Sequence, residues 1–357
     1  MMLLLNPGPV TLTERVRRSL LSPDLCHRES EFFDLQDEIR TRLLAVYGLS
    51  PNEWCPVLMT ASGTGAVESM TAAVVHDTGR VLVVENGVYG ERIAQICAQY
   101  RIAHDRLSGD WMRAVDPQAI AARIDASSGA ARITHVAIVH HETTTGRLNE
   151  LGAVGEVCRA RGVQLIVDAV SSFGAEAIDF DGVSAVAGTA NKCLHGVPGS
   201  SFVLVRRDAL ARAAARTYYL DLGRLARLQD ERGTPFTPSV HAYYGLVEAL
   251  REFAEEGGRP ARHRRYAALA DQVRAGLAGL GIDGAISARE SSVVLRAYRL
   301  PEGIGYPALH DALKSAGFVI YAGQGGLSKT LFRISTMGNL TSQDIDRLLQ
   351  CFARLRG

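Results

Sequence analysis

The sequence predicts an α/β fold, with a large domain built on a mostly parallel central sheet and a smaller C-terminal α+β domain. Two observations carry this. Between residues 55 and 206, short runs that are apolar from end to end alternate with helical patterns, as strands buried on both faces require. Beyond about residue 237 that alternation gives way to two long helical patterns.

Cys55–Thr60, Arg80–Glu85, Ile133–His140, Gln164–Val170 and Ser201–Arg206 read as strands. Thr64–His76, Glu91–Tyr100 and Leu151–Arg161 carry the helical patterns between them. In the second part, Val240–Glu256 and Arg262–Leu280 read as long helices. Ser292–Tyr298 is a strand, Pro307–Ser315 a helix, Phe318–Tyr321 and Leu331–Ser335 short strands, and Ser342–Arg354 the last helix. The expected division places an N-terminal arm and large domain over residues 1–240 and a small domain over 241–357.

Composition narrows the function classes. Of 357 residues, 47% are hydrophobic and 22% charged, which excludes a disordered chain. The formal charge of +1 supplies no electrostatic reason to bind nucleic acid or an anionic membrane. No apolar run is long enough to span a bilayer, and the first residues lack the basic stretch of a secretion signal, so the expected location is the cytoplasm. The cysteines at 26, 55, 97, 158, 193 and 351 are scattered with no C-x-x-C pair. They read as free thiols rather than disulfides or metal ligands.

Three stretches carry chemistry. In Thr60-Ala61-Ser62-Gly63-Thr64-Gly65, a strand runs through small residues into a helix. The free N–H groups of the helix start, with the Ser62 and Thr64 hydroxyls, suit a phosphate. It is neither a Walker loop nor a G-x-G-x-x-G. Asp168 ends a very apolar strand, where a carboxylate is costly unless a positive group meets it. Strand ends of that kind face the ligand crevice of an open α/β sheet. Lys192 stands in a small-residue stretch between two strands, in a chain whose cations are nearly all arginine. Imine formation is the chemistry that needs a lysine and cannot use arginine. Each has a plainer reading: a helix cap, a turn cap and a surface lysine. Together, a phosphate loop, an anion for a ring nitrogen and an imine-forming amine are the parts that hold pyridoxal 5′-phosphate. Tyr89, after the next strand, is placed to stack on its ring.

The order of these motifs resembles the class V (fold type I) pyridoxal-phosphate aminotransferases over nearly the whole chain. The supporting stretches are Asn6–Thr11, Pro23–Glu29, Asn86–Arg92, His141–Gly146, Ala190–Cys193 and Gly196–Gly199. Within the group, Glu142-Thr143-Thr144-Thr145-Gly146 and Asn191-Lys192-Cys193 are similar to the 2-aminoethylphosphonate:pyruvate transaminase branch. The resemblance implies catalytic roles for Lys192 and Asp168, and cofactor contacts from Ser62, Gly63, Thr64, Tyr89 and Thr143. It implies that Thr237 reaches the phosphate in a neighbouring subunit, hence a homodimer with shared sites, and that Arg333 binds the substrate's anionic group. The implied reaction moves the amino group of 2-aminoethylphosphonate to pyruvate. The alternatives are transamination of another aminophosphonate, or of alanine or serine with glyoxylate. Two departures from the family pattern flank Arg333 and bear on the substrate: Ser335 stands in place of glycine, and Ala322–Lys329 is glycine-rich.

Overall fold

A computed structural model describes residues 2–356. Its large sheet has seven strands: β1 (Trp54–Met59), β2 (Arg80–Glu85), β3 (Ala103–Ser108), β4 (His135–Val139), β5 (Gln164–Asp168), β6 (Val183–Thr189) and β7 (Ser201–Arg206). Their order across the sheet is β1-β7-β6-β5-β4-β2-β3. Strand β7 runs antiparallel to both neighbours, and every other pairing is parallel.

The unbroken apolar runs have a simple cause. Side chains alternate across a strand, and both faces of this sheet are covered. Leu82, Val84, Val136, Ile138, Leu165 and Val167 feed one buried cluster. Their neighbours Val81, Val83, Ala137, Val139 and Ile166 feed another on the opposite face.

Two strands lack the apolar pattern that marks the others in the sequence. Strand β3, Ala-His-Asp-Arg-Leu-Ser, lies at the sheet edge and pairs only with β2, so it has one half-solvated side and a polar composition. Arg80 reaches across to Asp105 at 3.0 Å. Strand β6 is built of Val, Ser, Ala, Gly and Thr; a side chain on Gly188 would run into the ring of Phe202 on β7, which explains the glycine.

In the second part, strands β8 (Leu295–Arg299), β9 (Tyr321–Ala322) and β10 (Leu331–Ser335) form an antiparallel sheet in the order β8-β10-β9. The expected strand Phe318–Tyr321 is two pieces. Phe318–Val319 pairs in parallel with Leu3–Leu4 of the N-terminal arm, while Tyr321–Ala322 joins β10.

The helices that cover these sheets include α1 (Gly63–Val74), α2 (Val88–Gln99), α3 (Val240–Glu255), α4 (Gly258–Gly279) and α5 (Ser342–Arg356). Tyr243, Leu246, Val247 and Leu250 of α3 lie in the first large-sheet cluster, and α3 packs on the helix Ser30–Ala45. Leu3 and Leu5, conversely, are buried with Leu269, Phe332 and Phe352. We therefore propose the boundary at Gly257–Gly258 rather than at 240, with the first residues of the arm added to the small unit. Both glycines have positive φ, which marks the break between α3 and α4.

Cys26 is exposed, while Cys55, Cys97, Cys158 and Cys193 are buried free thiols. Among the described residues no helix is long and apolar enough to cross a membrane, and no cluster of metal-ligating side chains occurs.

Candidate active site

Parallel strands deliver their C-terminal ends to one edge of the sheet, and the loops there enclose a cavity of about 530 Å³. Ser62, Gly63, Thr64, Tyr89, Asp168 and Lys192 all line it. Ser62 is the N-cap of α1, where its Oγ accepts from the Gly65 N–H at 3.4 Å. Gly63 and Thr64 are the first residues of that helix. The loop thus presents N–H groups and hydroxyls with the positive end of the helix behind them.

Asp168 closes β5 and is 6% exposed. Burial raises its carboxyl to about 6; the Val170 N–H, which donates to Oδ1 at 2.9 Å, and the charges of Arg92 and Lys192 pull the other way. Lys192 lies on the loop between β6 and β7, as expected. Burial lowers its amine to about 8; Cys193 and Asp168 oppose this, while Arg333 and Arg92 reinforce it. Its Nζ donates to the carbonyl of Pro7, so the N-terminal arm crosses directly over the lysine. Gly8 allows that crossing: its φ is +106°, and a Cβ there would sit 2.7 Å from Nζ.

Arg333 stands at the centre of β10 and is 4% exposed. Its Nε donates to the Ala322 carbonyl at 2.7 Å, and its Nη1 to the Thr143 carbonyl at 3.1 Å and Gln324 Oε1 at 3.0 Å. All three acceptors are neutral, and among the described residues no carboxylate lies within ion-pair distance of it. Thr143 is buried, and its Oγ1 has no hydrogen-bond partner. Thr143 and Arg333 touch each other but do not line the cavity. Thr237 is exposed and borders a separate recess with Thr60, Tyr219 and Phe236, so the fold does not bring it to the cavity of its own chain.

The departures beside Arg333 resolve into backbone supports. Ser335 is fully buried; its Oγ donates to the Val294 carbonyl at 3.1 Å and accepts from the Met337 N–H at 3.1 Å. Within the glycine-rich stretch, Gln324 is the side chain that reaches Arg333.

Two further residues carry no role in the sequence pattern alone. Arg92 lines the cavity and bonds to Thr64; its three-residue spacing from Tyr89 is the available signal. Glu142 belongs to the Glu-Thr-Thr-Thr-Gly motif. It is fully buried, and burial raises its carboxyl above the usual range. Its Oε2 accepts from the N–H groups of Tyr89 and Gly90, which caps α2, and its Oε1 accepts from the Thr144 N–H and hydroxyl.

The donor set fits pyridoxal 5′-phosphate. Hydroxyls, helix-start N–H groups and a guanidinium suit the phosphate, the buried Asp168 suits a protonated ring nitrogen, and Lys192, whose amine burial lowers to about 8, suits the aldehyde. The unpartnered Thr143 Oγ1 leaves a donor for a ring substituent.

The chain is similar to known proteins over nearly its whole length. The family model described as Aminotransferase class-V matches residues 21–348. A 2-aminoethylphosphonate–pyruvate transaminase of Bacteroides fragilis (strain YCH46) is 34% identical over 356 residues, covering 98% of this chain and 97% of that protein. One from Burkholderia thailandensis is 39% identical over 351 residues, covering 96% and 93%. The crystal structure of an alanine–glyoxylate aminotransferase from Nostoc sp. superposes with a TM-score of 0.91 at 26% identity, covering 99% of this chain and 95% of that one.

Proposed function

The chain belongs to the class-V aminotransferases, fold-type-I enzymes that work with pyridoxal 5′-phosphate on small amines and 2-oxo acids, and from that premise we propose that it moves the amino group of 2-aminoethylphosphonate to pyruvate, giving phosphonoacetaldehyde and alanine. The observation that carries the substrate class is Arg333: a buried guanidinium held by three neutral oxygens keeps its full charge for an anion. One such group serves both half-reactions, because the donor has a phosphonate where the acceptor has a carboxylate. The names of the relatives support the phosphonate.

When bound, the cofactor supplies a carbonyl that exchanges amino groups and a ring that withdraws electrons. Ser62, Gly63 and Thr64 would hold its phosphate, Tyr89 would offer a stacking face to its ring, and Asp168 would keep the ring nitrogen protonated. Thr143, whose buried Oγ1 is unpartnered, would supply a hydroxyl to the ring edge. Lys192 would hold its aldehyde through Nζ, and when free that amine would serve as the base and acid that takes up and returns a proton. Thr237, exposed and away from its own cavity, serves the phosphate of a second copy, which makes the working unit a homodimer. The location consistent with this chemistry and with the free thiols is the cytoplasm.

The test is a half-reaction screen. Purified holoenzyme is mixed with 2-aminoethylphosphonate, other aminophosphonates, alanine, serine or aspartate, and loss of the visible band of the lysine-bound cofactor is followed. The expected result is fast loss with 2-aminoethylphosphonate and, in reverse, with alanine. Fast reaction of serine or another aminophosphonate with none from 2-aminoethylphosphonate would assign a different donor. Conversion of the donor to phosphonoacetaldehyde only when pyruvate is present completes the case.

A further inference from the structure

Tyr89 and Arg92 lie three residues apart on α2 and so share one face of it. That face meets the start of α1, where Thr64 is the second helical residue. The Arg92 guanidinium carbon sits 4.6 Å from the centroid of the Tyr89 ring, while its Nη1 donates to Thr64 Oγ1 at 3.1 Å. We propose that Arg92 is a positioning residue that locks the Tyr89 ring to the Thr64 hydroxyl, registering the stacking surface of the cavity against its phosphate loop. This rests on the cofactor assignment of those two residues.

The shape of the guanidinium carries the inference. It is a planar fork that stacks with its face and donates from its edge at the same time; an ammonium is a point charge and does one or the other. With Arg92 over one side of the ring, only the other side of Tyr89 is open to a flat ligand. The hydroxyl is constrained too. Arginine only donates, so Thr64 Oγ1 spends a lone pair on it. Among the described residues the Thr64 hydroxyl has no acceptor for its proton, which is left to donate toward the cavity, as a phosphate oxygen needs. Finally, no carboxylate among the described residues lies within ion-pair distance of Arg92. Its charge therefore acts across the cavity, favouring the Asp168 carboxylate and, together with Arg333, disfavouring a charged Lys192, while Cys193 and His141 flank the lysine.

The experiment is a double-mutant cycle on cofactor affinity. Apoprotein of the wild type, R92M, T64V and R92M/T64V is titrated with pyridoxal 5′-phosphate, and Kd is read from the visible band. Each single change is expected to weaken binding about tenfold, and the double change no more than about threefold further, since neighbours sharing one contact are not additive. R92K should behave like R92M in Kd. The titration midpoint of the visible band should rise with R92M and return toward wild type with R92K, because the charge, unlike the fork, is restored. A double variant whose loss equals the product of the singles, or an R92K within twofold of wild type in Kd, overturns the role. Melting of each apoprotein checks folding, and if R92M does not fold, R92K carries the test. If the wild type forms no lysine-bound band, or K192A still forms it, the cofactor assignment itself fails. A normal wild-type band with additive losses removes only the role of Arg92.

Discussion

Glu142 Oε2 accepts a hydrogen bond from the backbone N–H of Tyr89 at 3.1 Å, joining the Glu-Thr-Thr-Thr-Gly segment to the first turn of α2. The pairing places a buried carboxylate on the positive end of the helix that carries both Tyr89 and Arg92. It also explains Gly87, whose missing side chain is the space Glu142 occupies: a Cβ there would lie 2.1 Å from the Glu142 Cδ.

Replacing that carboxylate is therefore costly. In E142Q an amide NH₂ faces either the Tyr89 and Gly90 donors or the Thr144 donors, leaving buried groups unpaired. We expect a loss of about 1–3 kcal/mol in urea unfolding. G87A should lose a comparable amount by displacing the same side chain. An E142Q protein with an unchanged midpoint and slope would show that the cap contributes nothing.

Arg333→Lys keeps a charge but loses the fork that holds Ala322, Thr143 and Gln324. The KM for pyruvate should rise about 10–100-fold, the scale of one or two charged hydrogen bonds, with a smaller change in kcat. Steady-state kinetics of the reverse reaction, with alanine, should show the same loss. An unaltered KM for both would move the anion site elsewhere.

The amine of Lys192 is lowered to about 8, chiefly by burial. Only the neutral amine attacks an aldehyde, so recombination of apoprotein with the cofactor should accelerate as pH rises toward 8 and level off above it. Below that midpoint the rate should fall about tenfold per pH unit. Stopped-flow mixing over pH 6–10 reads it directly, as a range of about four pH units. A rate still climbing at the upper end would give the lysine its ordinary, unshifted behaviour.

Ser335→Gly restores the residue that the resemblance leads one to expect. Because the hydroxyl serves Val294 and Met337, the change should cost about 1 kcal/mol of stability and leave the ratio of kcat/KM between aminophosphonate and amino-acid donors unchanged. A switch of preferred donor would make Ser335 a specificity residue.

Much of the cavity was legible from residue type and strand position. Asp168 is conspicuous because a carboxylate ends an apolar strand, and Lys192 because a lysine stands where this chain otherwise uses arginine. Ser62, Gly63 and Thr64 carry a recognisable strand-to-helix turn. Arg92 and Glu142 were hidden because their partners, Thr64 and Tyr89, lie on other segments. A polar edge strand and a strand of small residues were hidden because neither has the apolar signal of the centre of the sheet.

By itself the sequence determined the alternating α/β order, the parallel core and the residue types that can form an imine or hold a phosphate, since period and side-chain chemistry are local properties. Tertiary structure decided which helix belongs to which core, that the N-terminal arm lies across Lys192, and that no carboxylate among the described residues forms an ion pair with Arg333. Those depend on contacts between segments distant along the chain, where burial sets both the cost of a charge and the partner available to it.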